Sequence, residues 1–300
     1  MELRQLRYFV AVADELSFSR AAPRVFASQS TLSAAISALE DDVGARLLER
    51  STRKVRLTAA GEAFLTEARA VLHAAARAQT VAAEASQGLR GTLRVGTLTS
   101  ITTLDLPSLI GAFRMKYPLV EVHVHVSGSG STGIAEGLRK GRLDVGVLAL
   151  QGEDARGLEL RPMASVPYVA VIPRSHRLAA RASVSLQDLV SERFVDGVRG
   201  FGSRIALDRQ FARLGHARKI LVEVSDALSV VPYVKAISGA AVIPRFGAAI
   251  NDPDVVAIPV KDFGEMFVLS LATRADTPVS PMVACLLEAS RGFIHDRGQY

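Results

Sequence analysis

Cysteine and long apolar runs are nearly absent from this sequence, and both absences exclude classes of protein. The single cysteine, Cys285, excludes an intrachain disulfide framework and a cysteine-rich metal site, so we expect it to be a small core residue on an amphipathic helix. No stretch approaches the ~20 apolar residues of a membrane span, and the first residues lack a signal-peptide pattern. We therefore expect a cytoplasmic protein that does not contact a membrane.

The composition is that of a globular protein with an excess of basic over acidic residues. Hydrophobic residues make up 49% of the chain and charged residues 22%, which excludes a disordered or fibrous protein. The 300 residues are enough for two or three domains. A net charge of +6 favours an anionic partner, although charge alone does not identify that partner.

Near the N-terminus, two short helical patterns meet at Ala27 and Ser28. The second pattern has apolar residues at helical spacing, which predicts one buried stripe: Leu32, Ile36, Leu39 and Val43. Its opposite face carries small or hydrogen-bonding residues, namely Gln29, Ser30, Ser33, Ala34 and Ser37. Such a face is typical of a helix that reads base edges in the major groove, where glutamine pairs with adenine and serine donates or accepts. An ordinary surface helix is the alternative.

The segments on either side of this pair predict a winged helix-turn-helix. A preceding amphipathic helix has its apolar residues at Leu3, Leu6, Phe9, Val10, Ala13 and Leu16. In the hairpin-like segment that follows, Glu49 is the only acid among the basic residues Arg46, Arg50, Arg53, Lys54 and Arg56. A basic hairpin beside a recognition helix suits phosphate or the minor groove. The expected base-edge contacts are Gln29, Ser30 and Ser33, with Ser37 on the same face; the expected phosphate contacts are Ser19, Arg50, Arg53, Lys54 and Arg56.

These N-terminal motifs resemble the LysR-type transcriptional regulators. The matching positions are residues 6–9, 17–22 and 28–33, followed by Ile36, Leu39, Glu40, Gly44, Leu47, Arg50, Leu57, Thr58, Ala60 and Gly61. The resemblance implies a DNA-binding regulator of transcription rather than an enzyme. A two-fold symmetric regulator implies a partly palindromic promoter site on double-stranded DNA, with half-sites about 10 bp or a multiple apart.

Two features depart from the family pattern. Ala34, Ala35 and Ser37 stand where members often carry Arg-Gln and, further along, a basic residue. We therefore expect weaker phosphate anchoring by this helix and more by the wing. Pro23 lies inside the first helix of the pair, where a proline beyond the first turn costs about 3 kcal/mol. We therefore expect that helix to begin near Ser19 or to bend at Ala22.

A long helix is predicted after the wing. Residues 62–87 contain no glycine or proline, and with a first turn from Thr58 the helix would be roughly 45 Å long. Steps of four and three predict a coiled-coil seam through Phe64, Ala68, Val71, Ala75, Ala78, Ala82 and Ala85. We expect this helix to pair with a second copy in a homodimer. The resemblance implies a linker helix and favours a homotetramer, but dimer and tetramer both stay open. Packing against the larger domain of its own chain is the alternative.

Beyond residue 91 strands alternate with helices, which predicts an α/β domain with largely parallel sheets. The predicted strands begin at residue 93 and continue at 120–126, 143–150, 169–172, 220–224 and 240–243; the predicted helices are near 104–117, 134–140, 204–214, 227–237 and 281–291. Further motifs resemble the family's effector domain: residues 106–107, 113, 117–118, 141–145, 173–178 and 243–244. The resemblance implies a two-lobed fold like periplasmic binding proteins, with crossing segments near 160–163 and 261–267.

The chain is thus expected to contain a winged helix-turn-helix domain (1–57), a linker and dimerisation helix (58–90) and an effector-binding domain (91–300). Lobe I would span about 91–161 and 268–300, and lobe II about 162–267. By resemblance, a small-molecule effector lies between the lobes, and its expected contacts are Thr99, Ser100, Thr102, Ser129, Ser131, Thr132, Phe201, Arg204 and Ser225. Phe201 would supply an apolar wall and Arg204 a fork for the carboxylate of an organic acid. A solvated first-turn arginine is the alternative for Arg204.

The strongest rival motif is a G-x-G-x-x-G sequence at residues 128–133, with Glu153 twenty positions beyond it. This is a dinucleotide fingerprint when it follows a strand and opens a helix. The preceding strand alternates apolar and polar residues, unlike a strand buried on both faces, and Glu153 lies in a loop. The motif still suits an anion at a helix N-terminus.

We expect no cofactor and no enzyme, with a nicotinamide-dependent enzyme and a non-specific nucleoid-type binder as alternatives. His123 and His125 share a strand face without a third ligand, so we also expect no metal.

Overall fold

The computed structural model describes residues 1–50, 55–87, 89–99, 101, 103–245 and 252–294. The chain divides into two compact units, residues 1–88 with 140–142, and residues 89–139 with 143–300. Among the described residues, the helices are all too short or too polar to cross a membrane.

The first unit is a group of three helices followed by a two-stranded wing and a long helix. Its elements are α1 (Leu3–Glu15), α2 (Phe18–Arg24), α3 (Gln29–Val43), β1 (Leu48–Arg50), β2 (Val55–Leu57) and α4 (Ala59–Gln87). Serine side chains cap two of the helices: Ser17 Oγ accepts from the N–H of Arg20 at 3.3 Å, and Ser28 Oγ from that of Thr31 at 3.1 Å. β1 and β2 pair antiparallel. The winged helix-turn-helix predicted from the sequence is confirmed.

Helix α2 accommodates Pro23 in its last turn. The helix begins at Phe18, one residue before the expected Ser19, and ends at Arg24, one residue after the proline. Pro23 therefore lies beyond the first turn, where a proline is ordinarily costly. The proline removes the N–H that would bond to the carbonyl of Ser19, and the helix ends one residue later.

The predicted apolar stripes supply the core of the first unit. Its largest fully buried side chains are Phe9, Leu6, Leu32, Ile36, Leu39 and Leu47. Three predicted members are exposed instead: Leu3 at 42%, Leu16 at 48% and Val43 at 37%. All three lie at helix ends: Leu3 is the first residue of α1, Leu16 is the left-handed cap of α1, and Val43 is the last residue of α3. Helical periodicity does not show where a helix leaves the core.

Helix α4 begins where the sequence predicts, but the first part of its seam is used within the chain. Thr58 Oγ1 accepts from the N–H of Gly61 at 2.9 Å and donates to the carbonyl of Arg46 at 2.7 Å. The Phe64 ring packs edge-on against Phe9 of α1, with 5.4 Å between ring centroids, and Ala68 is buried in the same cluster. These two residues are therefore not available to a partner helix.

The second unit alternates strands and helices. Its elements in chain order are β3 (Gly91–Thr97), α5 (Leu106–Lys116), β4 (Val120–Val126), α6 (Gly130–Arg139), β5 (Val145–Leu148), β6 (Leu158–Val166), β7 (Tyr168–Pro173), α7 (Leu186–Leu189), β8 (Arg193–Gly197), α8 (Gly202–Arg213), β9 (Lys219–Val224), α9 (Val230–Ile237), β10 (Ala241–Pro244), β11 (Val255–Pro259), β12 (Phe267–Arg274) and α10 (Pro281–Ala289). The predicted strand 120–126 is reproduced as β4. Strands β6, β8, β11 and β12 and the short helix α7 were not predicted.

Lobe I contains a five-stranded sheet in the order β4-β3-β5-β12-β6. Strand β3 runs parallel to β4 and β5, whereas β12 runs antiparallel to β5 and β6. Lobe II contains a sheet in the order β10-β7-β11 and the pair β8-β9. The pair is parallel, but the three-stranded sheet is antiparallel throughout. The expectation of largely parallel sheets was therefore wrong for this part of lobe II. The predicted crossings, 160–163 and 261–267, fall in or beside the paired strands β6 and β12.

Candidate DNA-binding surface and effector cavity

The polar face of α3 lies opposite its buried stripe. Gln29, Ser30 and Ala34 are exposed, whereas Ser33 and Ser37 are half-buried. Ser19, which belongs to α2, donates from Oγ to the side-chain oxygen of Gln29 at 3.1 Å. Two of the predicted DNA-contacting residues therefore orient each other at the start of the recognition helix.

The N-terminus of α3 also carries a cluster of hydroxyl groups. Ser28 Oγ lies 2.9 Å from Ser30 Oγ and 2.8 Å from Thr31 Oγ1. The capping serine thus fixes the side chain of Ser30, a predicted base contact. Because the first-turn N–H groups of a helix carry partial positive charge, this end of α3 suits a phosphate or a base-edge acceptor.

The wing is held against α3 by Glu40, whose role the sequence analysis did not identify. This carboxylate is buried, with 3% of the residue exposed. Its Oε1 accepts from the N–H of Leu47 at 2.8 Å and of Leu48 at 3.0 Å, and its Oε2 lies 3.1 Å from Nη1 of Arg46. One side chain near the end of α3 therefore fixes the start of β1. The sequence signal was its place, next to Leu39, among the positions that match the family pattern.

The basic residues predicted on the wing are described only in part. Arg53 and Lys54 lie outside the described residues, and for Arg50 only the backbone is described, in β1. Arg56 is exposed and stands directly opposite Glu49 in the β1-β2 register. Because Glu49 lies directly across the strand pair from Arg56, its carboxylate offsets part of the positive charge of Arg56.

A mainly apolar cavity of about 130 Å³ lies between the lobes. Lobe I contributes residues that include Leu98, Thr99, Ser131 and Leu269; lobe II contributes Asp196, Phe201, Asp226, Leu228 and Ile243 among others. A cavity of roughly 150 Å³ holds one benzene ring, so the volume fits a ligand of that class. Ser131 is buried, and its Oγ accepts from the N–H of Ala149 at 3.0 Å.

Of the predicted effector contacts, Thr99, Ser131 and Phe201 line this cavity. Ser100 and Thr102 lie outside the described residues. The carbonyl of Ser225 accepts from Thr99 Oγ1 at 3.2 Å, which joins the two lobes beside the cavity. Ser129 is exposed.

Thr132 bonds to the opposite lobe. Its N–H and its Oγ1 both donate to the carbonyl of Gly200, at 3.0 Å and 2.7 Å. Gly130, in the left-handed region at φ 60°, lies so close to Phe201 that a side chain there would meet the ring. The N-terminus of α6, which the sequence analysis found suited to an anion, therefore contacts a loop of lobe II.

The structure does not support a carboxylate fork at Arg204, because that side chain is bound within lobe II. Its Nε lies 2.7 Å from Oδ2 of Asp208, and its Nη1 donates to the carbonyl of Gly197 at 2.8 Å and to Oε1 of Glu223 at 3.0 Å. The side chain is 7% exposed. The alternative of a solvated first-turn arginine is contradicted by this burial. Burial alone would lower the pKa of Arg204, but Asp208 and Glu223 together raise it.

The same ion cluster holds Asp196, a cavity residue that the sequence analysis missed. Arg218 pairs with both Asp196 and Asp208, and Arg204 lies 3.8 Å from Asp196. Burial raises the pKa of Asp196, while Arg218 and the N–H of Gly197 oppose that shift. No residue pattern pointed to Asp196, because β8 itself was not predicted.

The rival motif at 128–133 lacks the geometry of a dinucleotide site. Helix α6 begins at Gly130, as the fingerprint requires, but the preceding strand β4 is at the edge of its sheet with most residues exposed. Glu153 lies in a 3-10 turn (Gly152–Ala155). Among the described residues, groups of three or more potential metal ligands are not found. His123 instead pairs with Glu121 at 2.8 Å.

Two family models match the chain. Residues 3–62 match the model of the bacterial regulatory helix-turn-helix protein, lysR family. Residues 86–293 match the LysR substrate binding domain. The two matches correspond to the winged unit and to the two-lobed unit.

Relatives and solved structures agree with these models. The chain is 35% identical to the HTH-type transcriptional regulator ShiR of Corynebacterium glutamicum (strain R) over 87% of this chain and 88% of ShiR. It is 33% identical to the HTH-type transcriptional regulator AlsR of Bacillus subtilis (strain 168) over 85% of this chain and 84% of AlsR. The structure of full-length CbnR with its target DNA is similar, with a TM-score of 0.63, 29% identity, and coverage of 97% and 99% of the two chains. A full-length variant of OxyR from Pseudomonas aeruginosa gives a TM-score of 0.68, 26% identity, and coverage of 97% and 98%.

Proposed function

The chain belongs to the LysR family of transcriptional regulators, and from this premise we propose that it binds a partly palindromic promoter site under the control of a small organic acid. It is a DNA-binding regulator with an effector-binding domain, and the members of its family are not enzymes. The partial palindrome and the class of effector are the proposal. Binding to chromosomal DNA would place the protein in the cytoplasm.

The observation that supports the DNA site is the arrangement of α3. Its apolar stripe is fully buried at Leu32, Ile36 and Leu39, which leaves Gln29 and Ser30 exposed at its N-terminus. In helix-turn-helix proteins the N-terminal residues of the recognition helix contact base edges. Gln29 would read an adenine, and Arg56 of the wing would contact phosphate.

Substitutions at Gln29 and Arg56 should therefore have different effects on DNA binding. Gln29→Ala should lower affinity for the specific duplex by about tenfold and leave a scrambled duplex nearly unchanged, because only base readout is lost. Arg56→Ala should weaken both duplexes to a similar degree and reduce the slope of log affinity against log salt by about 1 per contact. Fluorescence anisotropy with both duplexes at several salt concentrations measures these effects.

Glu49→Ala is the matched counterpart of Arg56→Ala. It removes the acid opposite Arg56 and should strengthen binding to both duplexes. If Gln29→Ala weakened specific and scrambled duplexes equally, the assignment of Gln29 to a base edge would be wrong.

We propose that α4 pairs two copies through the part of its seam beyond Ala68. Val71 is 40% exposed, Ala75 is half-buried and Ala78 is exposed. An alanine seam allows two helices to approach closely. The homodimer, a homotetramer built from it, and half-sites about 10 bp or a multiple apart follow from this pairing. We also propose the domain and lobe limits that were expected from the sequence.

The effector is proposed to occupy the cavity between the lobes, with its apolar body against Phe201. A carboxylate would be received by the N–H groups at the start of α8, since Gly202 and Ser203 line the cavity and helix N-termini suit anions. This assignment replaces the arginine fork. Asp196 and Asp226 also line the cavity, so an effector with a second acidic group would be disfavoured. Binding would change the population of lobe arrangements and so the DNA-binding activity.

A further inference from the structure

The turn between α2 and α3 presents an aromatic ring that the described part of the chain leaves exposed. Phe26 is 99% exposed and has a positive φ of 51°. The turn itself is closed by the backbone, with hydrogen bonds from Phe26 N to Pro23 O at 3.3 Å and from Ala27 N to Ala22 O at 3.1 Å.

Neither the backbone nor the solvent favours phenylalanine at this position. Glycine and asparagine adopt the left-handed region most readily, whereas a bulky residue there is strained. A fully exposed phenyl ring also retains its unfavourable hydration. The backbone strain and the exposure together point to a contact outside the chain.

The position of the ring identifies the class of partner. Phe26 lies two residues before Ser28, the cap of α3, and three residues before Gln29. Ser28, Gln29 and Ser30 are all exposed, as is Arg24 at the end of α2. A single ring among polar residues is not the extended apolar patch that marks a protein partner. Phe26 instead lies beside the N-terminus of α3, the part of a helix-turn-helix that contacts base edges.

We propose that Phe26 contacts the 5-methyl group of a thymine at the edge of the major groove. Phenylalanine can read thymine in this way, because the methyl group is the one apolar feature of the major-groove edge. The inference rests on the proposed DNA-binding function. It adds a specificity-determining residue outside the recognition helix, at a position where α3 itself supplies little cationic anchoring because of Ala34 and Ala35.

The test is a double-mutant cycle between protein and DNA. The full-length protein and Phe26→Asn are titrated by anisotropy with two forms of the duplex upstream of this protein's own gene, one with thymine and one with deoxyuridine at every thymine. The wild type should bind the thymine duplex about tenfold more tightly, since two subunits each lose a methyl contact. Phe26→Asn should weaken binding to the thymine duplex by a similar factor and bind the two duplexes almost equally. Phe26→Tyr retains the ring and should keep the preference for thymine.

Thermal unfolding separates this role from a structural one. Phe26→Asn should be at least as stable as the wild type, because asparagine relieves the backbone strain. Equal losses on both duplexes, or an unchanged affinity of Phe26→Asn for the thymine duplex, would overturn the inference. If the wild type did not prefer the thymine upstream duplex over a scrambled duplex, the proposed function would fail and this inference with it.

Discussion

Glu40→Ala is expected to lower the free energy of unfolding of the winged unit by about 3 kcal/mol. The substitution leaves the N–H groups of Leu47 and Leu48 without the buried carboxylate that accepts from both. It also removes the ion pair to Arg46. The loss should appear in urea unfolding followed by circular dichroism, and specific DNA affinity should fall with it because the wing loses its attachment to α3.

Two further variants separate the carboxylate from a general effect at the end of α3. Asp41→Ala changes the exposed neighbouring acid and should alter stability by less than about 0.5 kcal/mol. Glu40→Gln keeps an acceptor oxygen for the two N–H groups and should be less damaging than alanine. A Glu40→Ala protein as stable as Asp41→Ala would show that the carboxylate does not hold the wing.

Arg204→Ala is expected to destabilise the two-lobed unit by about 2 kcal/mol, because it removes a buried guanidinium whose partners Asp208 and Glu223 are themselves half-exposed. Asp208 and Glu223 each lose a hydrogen-bonded guanidinium, and the carbonyl of Gly197 loses its donor. The role assigned here is structural. The loss should therefore appear in thermal and urea unfolding of the protein without any added ligand.

Arg213→Ala is the matched control, since it lies on the same helix with a side chain that is 62% exposed. Its ion pair with Glu265 is at the surface, where such pairs contribute little, so its stability should stay close to that of the wild type. Equal stabilities of Arg204→Ala and Arg213→Ala would contradict the structural role. Arg204 would then be free to serve the effector as first expected.

The recognition helix could be predicted from the sequence because its pattern is local. Leu32, Ile36 and Leu39 repeat at the helical period, and Ser28 is a residue type that caps helices, so α3 follows from short-range rules. The family motifs extended this prediction to the wing and to the two-lobed domain. The same rules did not place Val43, because a periodic pattern continues past the point where the helix leaves the core.

The candidate effector site was harder to predict because it depends on contacts that are distant in sequence. Arg204 lies in the first turn of α8 and has the chemistry of a carboxylate ligand. Its side chain, however, is bound by Glu223 on β9. Asp196 reaches the cavity from β8, a strand with charged residues at two of its five positions. The antiparallel β10-β7-β11 sheet brings together segments up to about ninety residues apart. None of these arrangements leaves a periodic signal.

Fluorescence anisotropy on the DNA directly upstream of this protein's own gene tests the central claim most directly. A scrambled duplex of equal length and composition is the control, and both are measured at one fixed salt concentration, since non-specific binding varies steeply with salt. The account predicts that the upstream duplex binds at least about a hundredfold more tightly than the scrambled one. Equal affinity for the two duplexes, with and without added organic acids, would contradict it.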